Sequence, residues 1–180
     1  MNAHPAGTPE VYRPDVCVAS PALVVGASSR DVVGGRVYVD GSALCRYLPL
    51  APHGEEWRTW AQRRIPALVT STLAVLELTR VASRGEFRTR MLARQVAGRI
   101  EPVRFSDQAL ACAAMATSVL APFAALHLGV AVTQPDVTMI ATYDPALAAV
   151  AEIHGLVVVT PGFVPGWWDP AAHPAERMSG

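Results

Sequence analysis

Lysine is absent from this 180-residue chain, and all 15 of its cationic side chains are arginines. That absence removes P-loop NTPases, Schiff-base enzymes and phosphotransfer sites built around a catalytic lysine. It also removes haloacid-dehalogenase phosphatases and response-regulator receivers, two folds that likewise end their first strand in an aspartate. The three cysteines (Cys17, Cys45 and Cys112) form no CxxC pair. They therefore read as reduced thiols of a cytoplasmic protein, most of them small core residues. Net charge is lacking too: 15 acids balance the 15 arginines, so no global field draws the chain to nucleic acid or membrane. No GxSxG, HExxH, GxGxxG or paired-cysteine zinc spacing occurs.

Residues 109–135 contain no Asp, Glu or Arg. A charge-free run of that length raises the question of a membrane span. It is mostly alanine, however, includes Thr117, Ser118 and His127, and is cut by Pro122. Two buried helices joined near Pro122 are the expectation, in a protein that does not span a membrane. "VCVASPALVVGASS" near the N-terminus lacks a basic leader region and is interrupted by Pro21, which argues against a signal peptide.

What is present is an apolar content of 51% with 17% charged residues, enough for one domain with a real core. Residues 1–35 read as a flexible N-terminal arm, 36–162 as the folded domain and 163–180 as a proline-broken C-terminal tail. The functional chain is expected to begin near Val37, with residues 1–36 reflecting an upstream start. Trp167 and Trp168 in the tail are expected to pack on the domain or on a second copy.

Within the domain, "RVYV", "ALVT" (67–70), "PVRF" (102–105), "DVTMIAT" (136–142) and "LVVVT" (156–160) read as strands. "SALCRYL", "GEEWRTWAQRR", "STLAVLELTRVASRG", "EFRTRMLARQVAGRI" and "PALAAVAEIHG" read as helices, with Ser42 as N-cap of the first. Trp57, Trp60 and Ala61 share one helical face, and Phe87, Met91 and Val96 another. Apolar strands alternating with helices predict an α/β fold: a three-layer α/β/α sandwich around a mostly parallel sheet. Ligands in such sheets bind beyond the carboxyl ends of the strands. Asp40 directly follows the first strand, Glu77 lies in the second turn of the helix after "ALVT", and Asp144 follows "DVTMIAT" by two residues. Converging carboxylates repel one another, and a divalent cation is the usual remedy.

"VYVDGSAL", "VTSTLAVLELTRV", "LHLGVAV" and "ATYDPALAAVAEIHGLVVVTPG" together resemble the PIN domain family, most closely the VapC-like ribonuclease toxins of toxin–antitoxin pairs. The similarity spans residues 37–162. It implies a metal-dependent endoribonuclease in which Asp40, Glu77 and Asp144 hold Mg²⁺ or Mn²⁺, with Ser42 and Thr142 as supporting polar groups. It further implies an RNA substrate, a VapB-like antitoxin, a homodimer and a cytoplasmic location. The family's central helix normally carries another aspartate three residues before the histidine, and here that position is Ala124. Asp136 begins the next strand at the opposite end of the sheet and does not replace it. The alternative is therefore a catalytically degenerate PIN module that acts as an RNA- or antitoxin-binding scaffold. His127 reads as a satisfied helix histidine rather than a ligand. From Trp57 to Arg104, ten arginines face three acids. Arg80, Arg84 and Arg88 of this flank are the candidates for contacting RNA phosphates or a protein partner.

Overall fold

β-Branched runs too short to stand alone become strands when each is followed by a helix that covers it. The computed structural model describes residues 35–169, which form one such alternating unit. Its elements are β1 (Arg36–Val39), α1 (Gly41–Leu44), α2 (Gly54–Gln62), β2 (Leu68–Ser71), α3 (Thr72–Ala82) and α4 (Phe87–Ala97). After these come β3 (Glu101–Val103), α5 (Asp107–Ala116), α6 (Pro122–Thr133), β4 (Val137–Ala141), α7 (Pro145–Ile153) and β5 (Val157–Val159). The sheet is parallel throughout, in the order β3-β2-β1-β4-β5. β1 is thus central, with Val39 opposite Thr70 on one side and Ala141 on the other.

Strand alternation divides the core in two. Val37, Val39 and Leu68 face Leu44, Trp57, Leu78 and Val96, from the layer of α1–α4. Tyr38, Val69 and Ile140 face Ala109, Leu128 and Leu147, from the layer of α5–α7. These two helical layers and the sheet between them make the three-layer sandwich expected from the sequence. The charge-free run forms α5 and α6, and among the described residues no helix is long and apolar enough to cross a membrane. Gly129 of α6 lets these two helices touch: a Cβ there would fall 2.2 Å from the Ala109 carbonyl oxygen.

Two local expectations need correcting. The N-cap of α1 is Asp40, whose side chain accepts from the Ala43 amide, and Ser42 sits inside the helix. A carboxylate at the strand end reaches the orphan amide first, leaving the serine hydroxyl free for other partners. On α4, Val96 is buried but Phe87 and Met91 are exposed; Ala93 takes the inward position instead. Residues 1–34 of the inferred arm (1–35) and upstream start (1–36), Cys17 and the tail beyond residue 169 lie outside the described residues.

Candidate active site

The carboxyl ends of β1, β2 and β4 meet at one edge, and the polar side chains of the domain's interior collect there. Asp40 is 2% exposed. Its Oδ1 accepts from the Ala43 amide at 2.8 Å, its Oδ2 accepts from Thr142 Oγ1 at 2.7 Å, and Ser42 Oγ lies 2.8 and 2.9 Å from the two oxygens. Burial raises the Asp40 carboxyl above its ordinary range, while His127 and these donors pull it back. Ser42 and Thr142 also accept: Ser42 Oγ from the Tyr143 amide at 2.7 Å and Thr142 Oγ1 from the Asp144 amide at 3.0 Å. The two hydroxyls therefore tie Asp40 to the loop that follows β4.

Glu77 reaches the same edge from α3 by lying across Gly41. A Cβ at residue 41 would fall 1.7 Å from Glu77 Oε2 and 2.9 Å from Glu77 Cβ, so only glycine leaves the carboxylate its path. Glu77 Oε2 is 2.9 Å from Nε2 of His127, which is buried on α6. The other ring nitrogen, Nδ1, is 2.8 Å from the hydroxyl of buried Tyr38, which is also 2.8 Å from Ser71 Oγ. Burial, with smaller contributions from Asp40 and Glu77, keeps the Tyr38 phenol protonated. Burial and then the same two carboxylates push the nearby Cys45 thiol up to about 11.

Asp144 lies at this edge but is engaged differently. As N-cap of α7, its Oδ1 accepts from the Ala146 and Leu147 amides at 2.9 and 3.2 Å. Asp40 and Glu77 are brought together, whereas among the described residues no group of three His, Cys, Asp or Glu side chains forms a metal-holding cluster. The donors at the edge are all hard oxygens, and neither Glu77 Oε1 nor Asp144 Oδ2 has a hydrogen bond to the described residues. Mg²⁺ is commonly held by one or two carboxylates and keeps several waters. The Asp40–Glu77 pair fits such a single cation. Asp136 is at the opposite end, its carboxylate paired with Arg36 at the start of β1.

Ser42 also opens onto a groove of about 910 Å³ whose walls include Arg46, Leu48, Val81, Arg84 and Arg88. Arg80 is exposed on α3, outside that groove. The first part of the tail packs on the domain: the Phe163 ring lies tilted between His53 and Trp167, with centroids at 4.5 and 4.6 Å, and Trp168 Nε1 donates to Glu152 at 3.1 Å.

The PIN domain family model matches residues 37–161, all of the sheet but Arg36 and both helical layers. The chain belongs to the PIN domain family. A search of curated proteins returns no match. Among solved structures, the crystal structure of FitAcB from Neisseria gonorrhoeae superposes with a TM-score of 0.54 at 18% identity, covering 71% of this chain and 99% of that one. FitAB bound to the IR36 DNA fragment superposes with a TM-score of 0.53, again at 18% identity, covering 71% of this chain and 96% of that one. These likenesses show the shared PIN fold.

Within this PIN domain, sequence reading missed the link between Tyr38, His127 and Glu77. One signal was available: Tyr38 alternates with Val37 and Val39, and a tyrosine buried mid-strand needs a partner for its hydroxyl.

Proposed function

We propose that this PIN domain is a VapC-like endoribonuclease that hydrolyses RNA phosphodiesters, with Asp40 and Glu77 holding Mg²⁺ or Mn²⁺ and Asp144 completing the acidic edge. One observation carries the reading. Asp40 is buried with its carboxyl raised, next in sequence to the Gly41 that Glu77 lies across, at the edge where parallel sheets bind ligands. A helix of four residues does not repay that cost by its cap alone.

A divalent cation bound there supplies charge stabilisation at phosphorus and a stronger nucleophile at neutral pH. The chain's own residues do the rest. Ser42 and Thr142 fix both oxygens of Asp40, and His127 fixes one oxygen of Glu77. Arg84 and Arg88, on the groove that opens at Ser42, attract and orient the phosphate backbone, while Arg80 extends the positive surface along α3. A VapB-like antitoxin and a second copy of the chain are the partners this reading implies. The likeness to FitAB supports it at the level of fold.

A second reading is favoured by Ala124, which leaves α6 without an acid one turn before His127. In it, the domain binds RNA or antitoxin without cutting. Purified protein incubated with structured RNA and Mn²⁺ separates the two, with Asp40→Asn prepared identically as the contamination control. Metal-dependent cleavage by the wild type alone supports the nuclease. No cleavage by folded wild type selects the binding module.

A further inference from the structure

We propose that Tyr38 and His127 are a pair of positioning residues that aim Glu77, joining the two helical layers above the sheet edge. The proposal deepens the nuclease reading and rests on it for its functional consequence.

Glu77 comes from the layer of α1–α4 and His127 from the layer of α5–α7, so their 2.9 Å contact spans the two halves of the core. An ionised carboxylate can only accept, which assigns the hydrogen of this bond to His127 Nε2. The ring cannot swing away, because Nδ1 is held by Tyr38 at 2.8 Å and Tyr38 by Ser71 at 2.8 Å. The Tyr38 hydroxyl gives its one hydrogen to Ser71 Oγ and receives from Nδ1; if it gives to Nδ1 instead, Ser71 Oγ donates to Tyr38 in its place, so the contact is kept in either arrangement. Ser71 is itself anchored as N-cap of α3, where its Oγ accepts from the Ala74 amide at 3.3 Å. The chain of contacts thus starts at the first turn of α3, crosses β1 and α6, and returns to Glu77 on the second turn of α3. Gly41 leaves the carboxylate one lane, and His127 fixes its position along that lane. The result is that Oε2 is occupied by protein and Oε1 is left for a ligand.

Outer partners that orient a metal-binding carboxylate or histidine typically carry 10- to 100-fold in affinity or activity. His127→Gln and His127→Leu separate aiming from packing, since the glutamine amide can donate from near the place of Nε2 and leucine cannot. Mn²⁺ affinity, read as free ion by electron paramagnetic resonance, should fall about 10- to 100-fold in His127→Leu and be largely retained in His127→Gln. Tyr38→Phe should fall in the same direction with little change in melting temperature. Equal affinity in wild type and His127→Leu would overturn the proposal. A metal-free readout stands beside it: nitrogen-15 spectra of the histidine ring should show a protonated Nε2 whose hydrogen exchanges slowly in wild type and rapidly in Glu77→Ala. A bare Nε2 overturns the positioning role whatever the metal does. A slowly exchanging Nε2 hydrogen in a protein that binds no Mn²⁺ supports the positioning role and counts against the nuclease reading instead.

Discussion

Replacing Gly129 with alanine tests how tightly the layer behind the site is built. Alanine in a helix interior ordinarily gains about 1 kcal/mol over glycine through propensity alone. At Gly129 the added Cβ would sit 2.2 Å from the Ala109 carbonyl oxygen and 3.1 Å from the Ala113 amide nitrogen. Ordinary contact begins near 3.4 Å, so α5 and α6 must separate by about 1.2 Å, and both obstructing atoms are backbone that no rotamer can move. Overpacking of this kind costs about 3 kcal/mol. The clash wins, for a net loss of about 2 kcal/mol and a fall in melting temperature of roughly 6–8 °C. Gly98→Ala is the matched control. Gly98 ends α4 with an ordinary right-handed backbone, and a Cβ there meets nothing closer than 3.5 Å. That substitution should be neutral or raise stability by about 0.5 kcal/mol. Thermal melts followed by circular dichroism measure both. A Gly129→Ala protein that melts at or above wild type, or a Gly98→Ala protein that falls equally far, would refute the close-contact account.

Asp40→Asn should do more than silence cleavage. Because burial raises the folded carboxyl, ionised Asp40 costs stability at neutral pH; its contribution is intact below the ordinary carboxyl pKa and is lost as pH rises through the folded value. The variant should therefore melt higher than wild type at pH 7, by a margin that shrinks towards about pH 4; equal melting at both pH values would refute this. Ala124→Asp places an acid in the first turn of α6, on the face that carries His127, and should raise Mn²⁺ affinity about tenfold by titration calorimetry. Flat affinity would mean that this face does not reach the cation. Cys45, with its thiol pushed up to about 11, should alkylate roughly 100-fold more slowly at pH 8 than in the unfolded chain, as read by peptide mass spectrometry. Equal rates would refute the burial and neighbouring carboxylates that raise the Cys45 thiol.

Much of the fold was legible because its signals are local. Most of the strands centre on a short apolar run, and each of β1–β4 is followed by a helix, two of them with a serine N-cap, Ser71 and Ser106. The position of the three acids beyond strand ends follows from the same alternation. What sequence could not show was direction. Asp40 and Asp144 both cap the helix that follows them, yet only Asp40 is also drawn into the polar interior, by a hydrogen bond from Thr142, 102 positions away. Phe87 and Met91 illustrate a different limit: periodicity identifies a face of α4, but the covering layer was already filled by Ala93 and Val96. His127 was legible as satisfied, and its partner was not, since Glu77 approaches from the opposite layer.

The placing of β1 between β2 and β4 has a consequence for the order of events during synthesis. Asp40 leaves the ribosome early, but Thr142, which bonds to it, follows 102 residues later. β4, which supplies the sheet edge on that side, pairs with β1 over a similar separation. A nascent chain that has not yet released β4 has its acids in solution and no edge to set them in. The same holds for any product truncated before residue 142. By this strand order the edge that holds Asp40 is complete only once β4 has emerged, about a hundred residues after β1.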